Sequence, residues 1–239
     1  MPTSARFDPQ TLFRQLRDDP QAAFATANAA AQAGDANAQL LLAQLYMEGA
    51  GTGRDEPAAL LWYETAANNG HPLAMNQLGR CHELGRGCAV NFVLAAVWYR
   101  RAAEAGLDWG MYNFANLLAT GRGIAQDLPR ALALYTRAAH MGHAKSMNLL
   151  ARHLEEGLET EADPDAALAW YRRSAEAGDF RGQANYASIL AQRGQMDEAV
   201  HWLRLALEHG SPAFMAQIVP QLAASPHPRI RALVAQARH

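Results

Sequence analysis

Apolar residues recur along the chain at helical spacing, as at Met75, Leu78 and Cys81, and no segment shows the strict alternation of a half-buried strand. The helical segments fall into pairs set off by glycine. Gly34, Gly70, Gly106, Gly142 and Gly178 lie 36 residues apart, and Gly210 follows after 32. The chain therefore stacks into units 35–70, 71–106, 107–142 and 143–178, with a shorter fifth unit at 179–210. Each unit predicts a first helix over about its second to fourteenth positions, a glycine-bearing loop and a second helix. The fold class expected is all-α, with about fourteen helices and no sheet.

The slots of the unit explain the pattern. Small residues stand at the ninth position (Ala43, Gly79, Ala115, Ala151, Ala187) and allow neighbouring helices to approach closely. Loop glycines come in pairs at Gly49/Gly51, Gly85/Gly87 and Gly121/Gly123; in the fourth unit Gly157 survives and Glu159 takes the second slot. Asp55, Asn91, Asp127 and Asp163 are suited to cap the second helix, and Pro57, Pro129 and Pro164 fit its first turn. The pairs Trp62-Tyr63, Trp98-Tyr99 and Trp170-Tyr171 recur at one slot and read as packing between units. Residues 1–34 are expected to form a capping helix pair, broken at Asp19-Pro20. Residues 211–239 are expected to cap the other end, interrupted at Pro220 and at Ser225-Pro226-His227-Pro228.

These motifs resemble the Sel-one-like repeat family, a branch of the tetratricopeptide-repeat superfamily with longer units. The resemblance covers about 35–210; the fifth unit, with Gly194, Asp197, Ala199 and Trp202, is closer to a plain tetratricopeptide repeat. It implies a right-handed α-solenoid, an SLR/TPR-like superhelix of antiparallel helix pairs whose first helices line a concave groove. It also implies a bacterial adaptor or scaffold that binds a partner protein or extended peptide. Another reading implied by relatives is a dedicated accessory subunit of one enzyme, such as an iron-dependent oxygenase in an iron-uptake context.

Composition narrows the chemistry. Alanine fills roughly a fifth of the positions. The 21 basic and 23 acidic side chains leave a net charge of -2, no footprint for nucleic acid or an anionic membrane surface. The first residues, MPTSARFDPQ, lack the basic-then-apolar signal pattern, and no apolar run is long enough to span a bilayer, so a cytoplasmic protein is expected. His82-Glu83 starts like a zinc-protease motif, but Arg86 stands where the second histidine belongs. Gly49-Ala-Gly51-Thr-Gly53 follows a helix and lacks the lysine of a phosphate loop. His71 and His143 share one slot at the start of a first helix, which makes them positional. Cys81 and Cys88 occupy slots held by Leu117 and Ile124 one unit later, so they read as small hydrophobes, close enough in sequence to be neighbours. Glu155, Glu156, Glu159 and Glu161 read as solvated surface. No catalytic constellation, cofactor site or metal site is expected, and the chain is expected to be a monomer or weak homodimer.

The candidate binding residues are those at groove slots of the first helices: Asn76, Arg80, Trp109, Tyr112, Asn116, Asn148 and Arg152. They are expected to form one inward surface. An asparagine amide can hold a peptide backbone by donating and accepting at once, and an arginine fork suits a carboxylate. Trp109 is an aromatic that no other unit has at its slot, which suits a hot spot. The competing use of the charges is intrahelical pairing, Arg80 with Glu83 and Arg152 with Glu155 or Glu156.

Overall fold

The structure is a computed structural model that describes residues 15–236. Among the described residues there are helices and connecting turns and no strand. A helical turn at 15–18 precedes thirteen full helices, close to the fourteen expected. The first half of the expected N-terminal cap, residues 1–14, lies outside the described residues.

The chain divides into two compact units, 1–127 and 128–239. The first contains α1 (Pro20–Gln32), α2 (Ala36–Glu48), α3 (Glu56–Asn68), α4 (Pro72–Leu84), α5 (Phe92–Glu104) and α6 (Asp108–Thr120). Each helix packs on its successor, and the first helices α4 and α6 also touch each other. The second contains α7 (Leu128–His140), α8 (Ala144–Glu156), α9 (Pro164–Glu176), α10 (Phe180–Gln192), α11 (Met196–His209), α12 (Pro212–Ala223) and α13 (Pro228–Gln236). There α7 to α11 pack in succession, α8 also meets α10, and α13 packs on α11 and α12.

Local chemistry sets these bounds. The first helices from α2 to α10 each cover the second to fourteenth positions of their unit, as the apolar spacing predicts. Asp19, Asp55, Asn91 and Asp163 cap helices by accepting the N–H of the third residue on. Asp35 and Asp179 do the same for α2 and α10, and His71 and His143 serve α4 and α8 through their side chains. The two histidines are therefore caps, an unusual choice that requires an unprotonated ring nitrogen. Pro220 does not interrupt its helix as expected: α12 runs through it to Ala223, and the break falls at 224–227. The exposed Pro220 forfeits one backbone bond, and the flanking turns hold without it.

The loops depend on the second glycine of each pair. Gly87 has φ +72°, and a Cβ there would lie 2.4 Å from the Glu56 carbonyl oxygen at the start of α3. Gly51 and Gly123 make the same close approach to the residues 31 positions earlier. Glu159, at this slot in the fourth unit, still adopts φ +57°, paying the left-handed penalty that its neighbours escape.

The Trp-Tyr slot packs inward, with Trp98 buried and Trp62 and Trp170 half-buried. Tyr63, Tyr99 and Tyr171 are all in the core. A ninth-position side chain would strike the Tyr99 ring, since a Cβ on Gly79 would sit 2.7 Å from it. Arg101 stacks 4.4 Å from the Trp98 ring centroid, and Arg173 4.2 Å from that of Trp170. At the C-terminal end Ile230 and Leu233 of α13 join Tyr186, Leu190 and Leu203 in one cluster.

Candidate binding surface on the first helices

The candidate residues occupy two different environments. Asn76 and Asn148 are almost fully covered, at 6% and 7% exposure. Asn113 donates through Nδ2 to Asn76 Oδ1 at 2.8 Å, and Asn185 does the same to Asn148 at 2.8 Å. Each bond ties one first helix to the next, α4 to α6 and α8 to α10. At least one face of each amide is thus used within the array.

Arg80 and Arg152 are exposed. Arg80 does not pair with Glu83; its Nη1 donates to Gln77 Oε1 at 3.3 Å. Glu83 instead accepts the Tyr99 hydroxyl at 2.6 Å, and Glu155 accepts that of Tyr171 at 2.7 Å. Burial, followed by these carboxylates, pushes both phenols far above their ordinary range, so each stays a donor. Glu155 is therefore not simple solvated surface. Arg152 has a loose partner in Glu156 at 4.0 Å, an exposed pair that contributes about 1 kcal/mol at most.

Trp109, Tyr112 and Asn116 lie one and two turns apart on α6. Trp109 is 42% exposed and meets Tyr112 edge-on, ring centroids 6.1 Å apart. Within the first compact unit Arg80 stands on α4 and the aromatic pair on α6, two helices that touch each other. In the second unit Asn148 and Arg152 share α8.

The first unit also has a cavity of about 410 Å³ that sequence reading missed. It opens between α2, α3 and α4 and includes Arg54, Tyr63, Arg80 and Arg86. Arg54 forms an ion pair with Glu56, whose other oxygen accepts the Gly87 N–H at 3.1 Å. The loop arginines gave little signal because their slots vary: that of Arg54 holds Val90, Gln126 or Ala162 elsewhere, and that of Arg86 holds Ala50, Arg122 or Leu158.

Cys81 is buried and Cys88 half-buried, and both are free thiols. Cys88 Sγ lies 3.5 Å from His82 Nδ1 and 3.7 Å from the Cys81 carbonyl oxygen. Burial pushes the Cys81 thiol up to about 11, so it stays neutral and unreactive. Among the described residues no three His, Cys, Asp or Glu side chains are grouped to hold a metal ion. No helix of these residues is long and apolar enough to cross a membrane.

The period seen in these contacts has a counterpart among known families. The model of the Sel1 repeat matches residues 36–71, 72–107, 110–143, 144–179 and 183–211. The chain belongs to the Sel1 repeat family. A Sel1 repeat protein from Oxalobacter formigenes is similar over 97% of this chain and 99% of its own, with 23% identity and a TM-score of 0.81. A protective antigen of uropathogenic Escherichia coli that displays an SLR fold is 27% identical over 95% of this chain, with a TM-score of 0.74. This chain spans 51% of that antigen, about half its length. An immunity protein from Pseudomonas aeruginosa shares the fold at 19% identity and a TM-score of 0.55, over 93% of this chain and 91% of its own. No curated protein matches the chain. The fold is thus the helical solenoid of Sel1 repeat proteins, which are generally interaction scaffolds without catalytic activity.

Proposed function

We propose that this Sel1 repeat protein is a non-catalytic scaffold that holds a partner protein or extended peptide on its first helices. The observation that carries the reading is the Trp109–Tyr112 pair. Two large aromatics stand on one face of α6, one of them 42% exposed, at slots that other repeats fill differently. Tryptophan, tyrosine and arginine are the usual anchors of protein interfaces. In this reading Arg80, Trp109, Tyr112 and Asn116 meet the partner in the first unit, and Arg152 in the second. Asn76 and Asn148 contribute mainly by fixing helix spacing, since their carbonyl oxygens already bind the next helix.

Trp109→Ala and Arg152→Ala test it, each measured for partner affinity and for melting. Loss of an anchor should weaken binding by about 2–4 kcal/mol with little change in melting. Unchanged affinity in both variants refutes the reading.

A specific observation favours a second one, the accessory subunit that makes flat contact with a single enzyme. Val90, Val93, Leu94 and Val97 form an exposed apolar face before and along α5, Val93 being 60% exposed. Such a face suits a broad interface. Arg100→Glu beside it weakens binding in that case, whereas Trp109→Ala does not.

A further inference from the structure

We infer that the cavity around Tyr63 receives one carboxylate from an acidic side chain of the partner. The inference rests on the scaffold reading above and names the chemistry of one contact.

The array supplies its own internal comparison. In the second and fourth repeats the buried tyrosine hydroxyl donates to an acid of its own first helix, Tyr99 to Glu83 and Tyr171 to Glu155. The equivalent residues of the first repeat are Tyr63 and Met47. Tyr63 is as deeply buried, at 3% exposure, but no carboxylate stands at the acid's slot. Its side chain instead lines the 410 Å³ cavity, together with Met47. A phenol that elsewhere in the same fold takes a carboxylate is here left facing an open space.

The surroundings of that space are cationic. Burial is the main influence on the Tyr63 hydroxyl; Glu48, the only acid on the lining, acts on it in the same sense, and the guanidinium groups of Arg80 and Arg86 oppose them. Arg54 adds a third guanidinium, tied to Glu56 outside the cavity. Arg80 is held in position by Gln77. The neutral Cys81 thiol behind them adds no charge that would oppose an anion. Only the first repeat has this combination. The third also lacks the acid, with Ala119 at its slot, but has Gln126 and Leu158 where the first draws on Arg54 and Arg86.

Size and hydrogen-bonding character point to a peptide. A cavity of about 410 Å³ is far larger than one small ion needs, a water occupying about 30 Å³ of liquid. The Gln44 amide on the lining can donate and accept, and Gln77, whose Oε1 accepts from Arg80, can still donate, which suits a peptide backbone on either side of the acid. A glutamate entering over Met47 would accept from the Tyr63 hydroxyl and a fork of Arg80 or Arg86, reproducing the contact that Glu83 makes with Tyr99.

The test is calorimetric titration of the intact protein with acetyl-tetraglutamate amide, acetyl-tetraglutamine amide and inorganic phosphate. The glutamate peptide should bind saturably, with Kd below about 1 mM, and the glutamine peptide should not. Met47→Glu supplies the carboxylate from within and should weaken peptide binding about tenfold or more while the melting temperature holds. Arg80→Gln with Arg86→Gln, both at exposed guanidiniums, should do the same and covers the case in which Met47→Glu fails to fold. Peptide binding that is absent, or equal in the parent and these variants, overturns the inference. Phosphate binding as tight as the peptide's, and equally lost in Met47→Glu, also overturns it by showing a site for any small oxyanion. The two proposals fail separately. A partner released by Trp109→Ala but not by Met47→Glu leaves the scaffold standing without this contact. A partner indifferent to the first-helix variants, with the peptide still bound here, removes the scaffold reading alone.

Discussion

Replacing Gly87 by alanine separates two costs that the loops of this array combine. The first is conformational: φ +72° is left-handed, which costs a residue with a Cβ about 1–2 kcal/mol. The second is steric, because the new Cβ would lie 2.4 Å from the Glu56 oxygen and 2.7 Å from its carbonyl carbon, both backbone atoms. Neither can rotate away, so the loop must shift, and the Gly87 N–H bond to the Glu56 carboxylate is lost with it. A lost bond of this kind adds about 1 kcal/mol. Gly106→Ala is the matched control, with φ +86° and nothing within 4 Å of its Cβ. Both variants lower the entropy of the unfolded chain equally, so their difference isolates the close approach. Gly87→Ala should lose about 3–4 kcal/mol and Gly106→Ala about 1–2 kcal/mol. Urea unfolding followed by circular dichroism gives the comparison. Amide exchange in α3 and α4 shows whether the loss is local, as nearest-neighbour coupling in a repeat array requires. Equal losses in the two variants would refute the claim that the second glycine exists for contact.

Further outcomes follow from the caps and the helix ends. His71 caps α4 through an unprotonated Nδ1, and burial holds its pKa below the ordinary 6.5. The neutral ring is favoured in the fold, so this contribution is complete above pH 6.5 and fades as pH falls through that value toward the lower folded one. His71→Asn, which caps without titrating, should flatten the fall in melting temperature between about pH 7.5 and 5.5; an unchanged slope contradicts the assignment. A chain ending at Gly210 uncovers Tyr186, Leu190 and Leu203, because Ile230 and Leu233 then no longer pack on them. Losing those two side chains removes about 3–6 kcal/mol of burial, so the shortened chain should associate and melt earlier. A monomer with unchanged melting would show that α13 is a dispensable tail.

The fold was legible because each of its decisions is made locally and made repeatedly. Glycine at the left-handed slots and Asp or Asn at the caps place helix ends to the residue, from Asp55 and α3 to Asp163 and α9. What escaped sequence reading depends on which helix faces which. Glu83 lies one turn from Arg80, and spacing alone suggests an ion pair between them. The buried Tyr99 hydroxyl takes the acid because a phenol without a partner costs more there than an exposed arginine without one. The Asn76–Asn113 bond needs two different slots of consecutive repeats to meet, which a periodicity treats as independent. Arg54 and Arg86 of the Tyr63 cavity were hidden for the opposite reason: their slots vary from repeat to repeat, with Val90, Gln126 and Ala162 at the first and Ala50, Arg122 and Leu158 at the second.

Site-directed photocrosslinking in native cells tests most directly whether the first helices are the working face. Benzoylphenylalanine at Trp109 or Arg152 probes those helices, and at Arg100 or Arg172 the second helices, where Arg100 and Arg172 already pair with Glu104 and Glu176. The account predicts that one protein partner is captured from positions 109 and 152 and not from 100 and 172. Capture from 100 and 172 alone would contradict it and place the partner on the second-helix face.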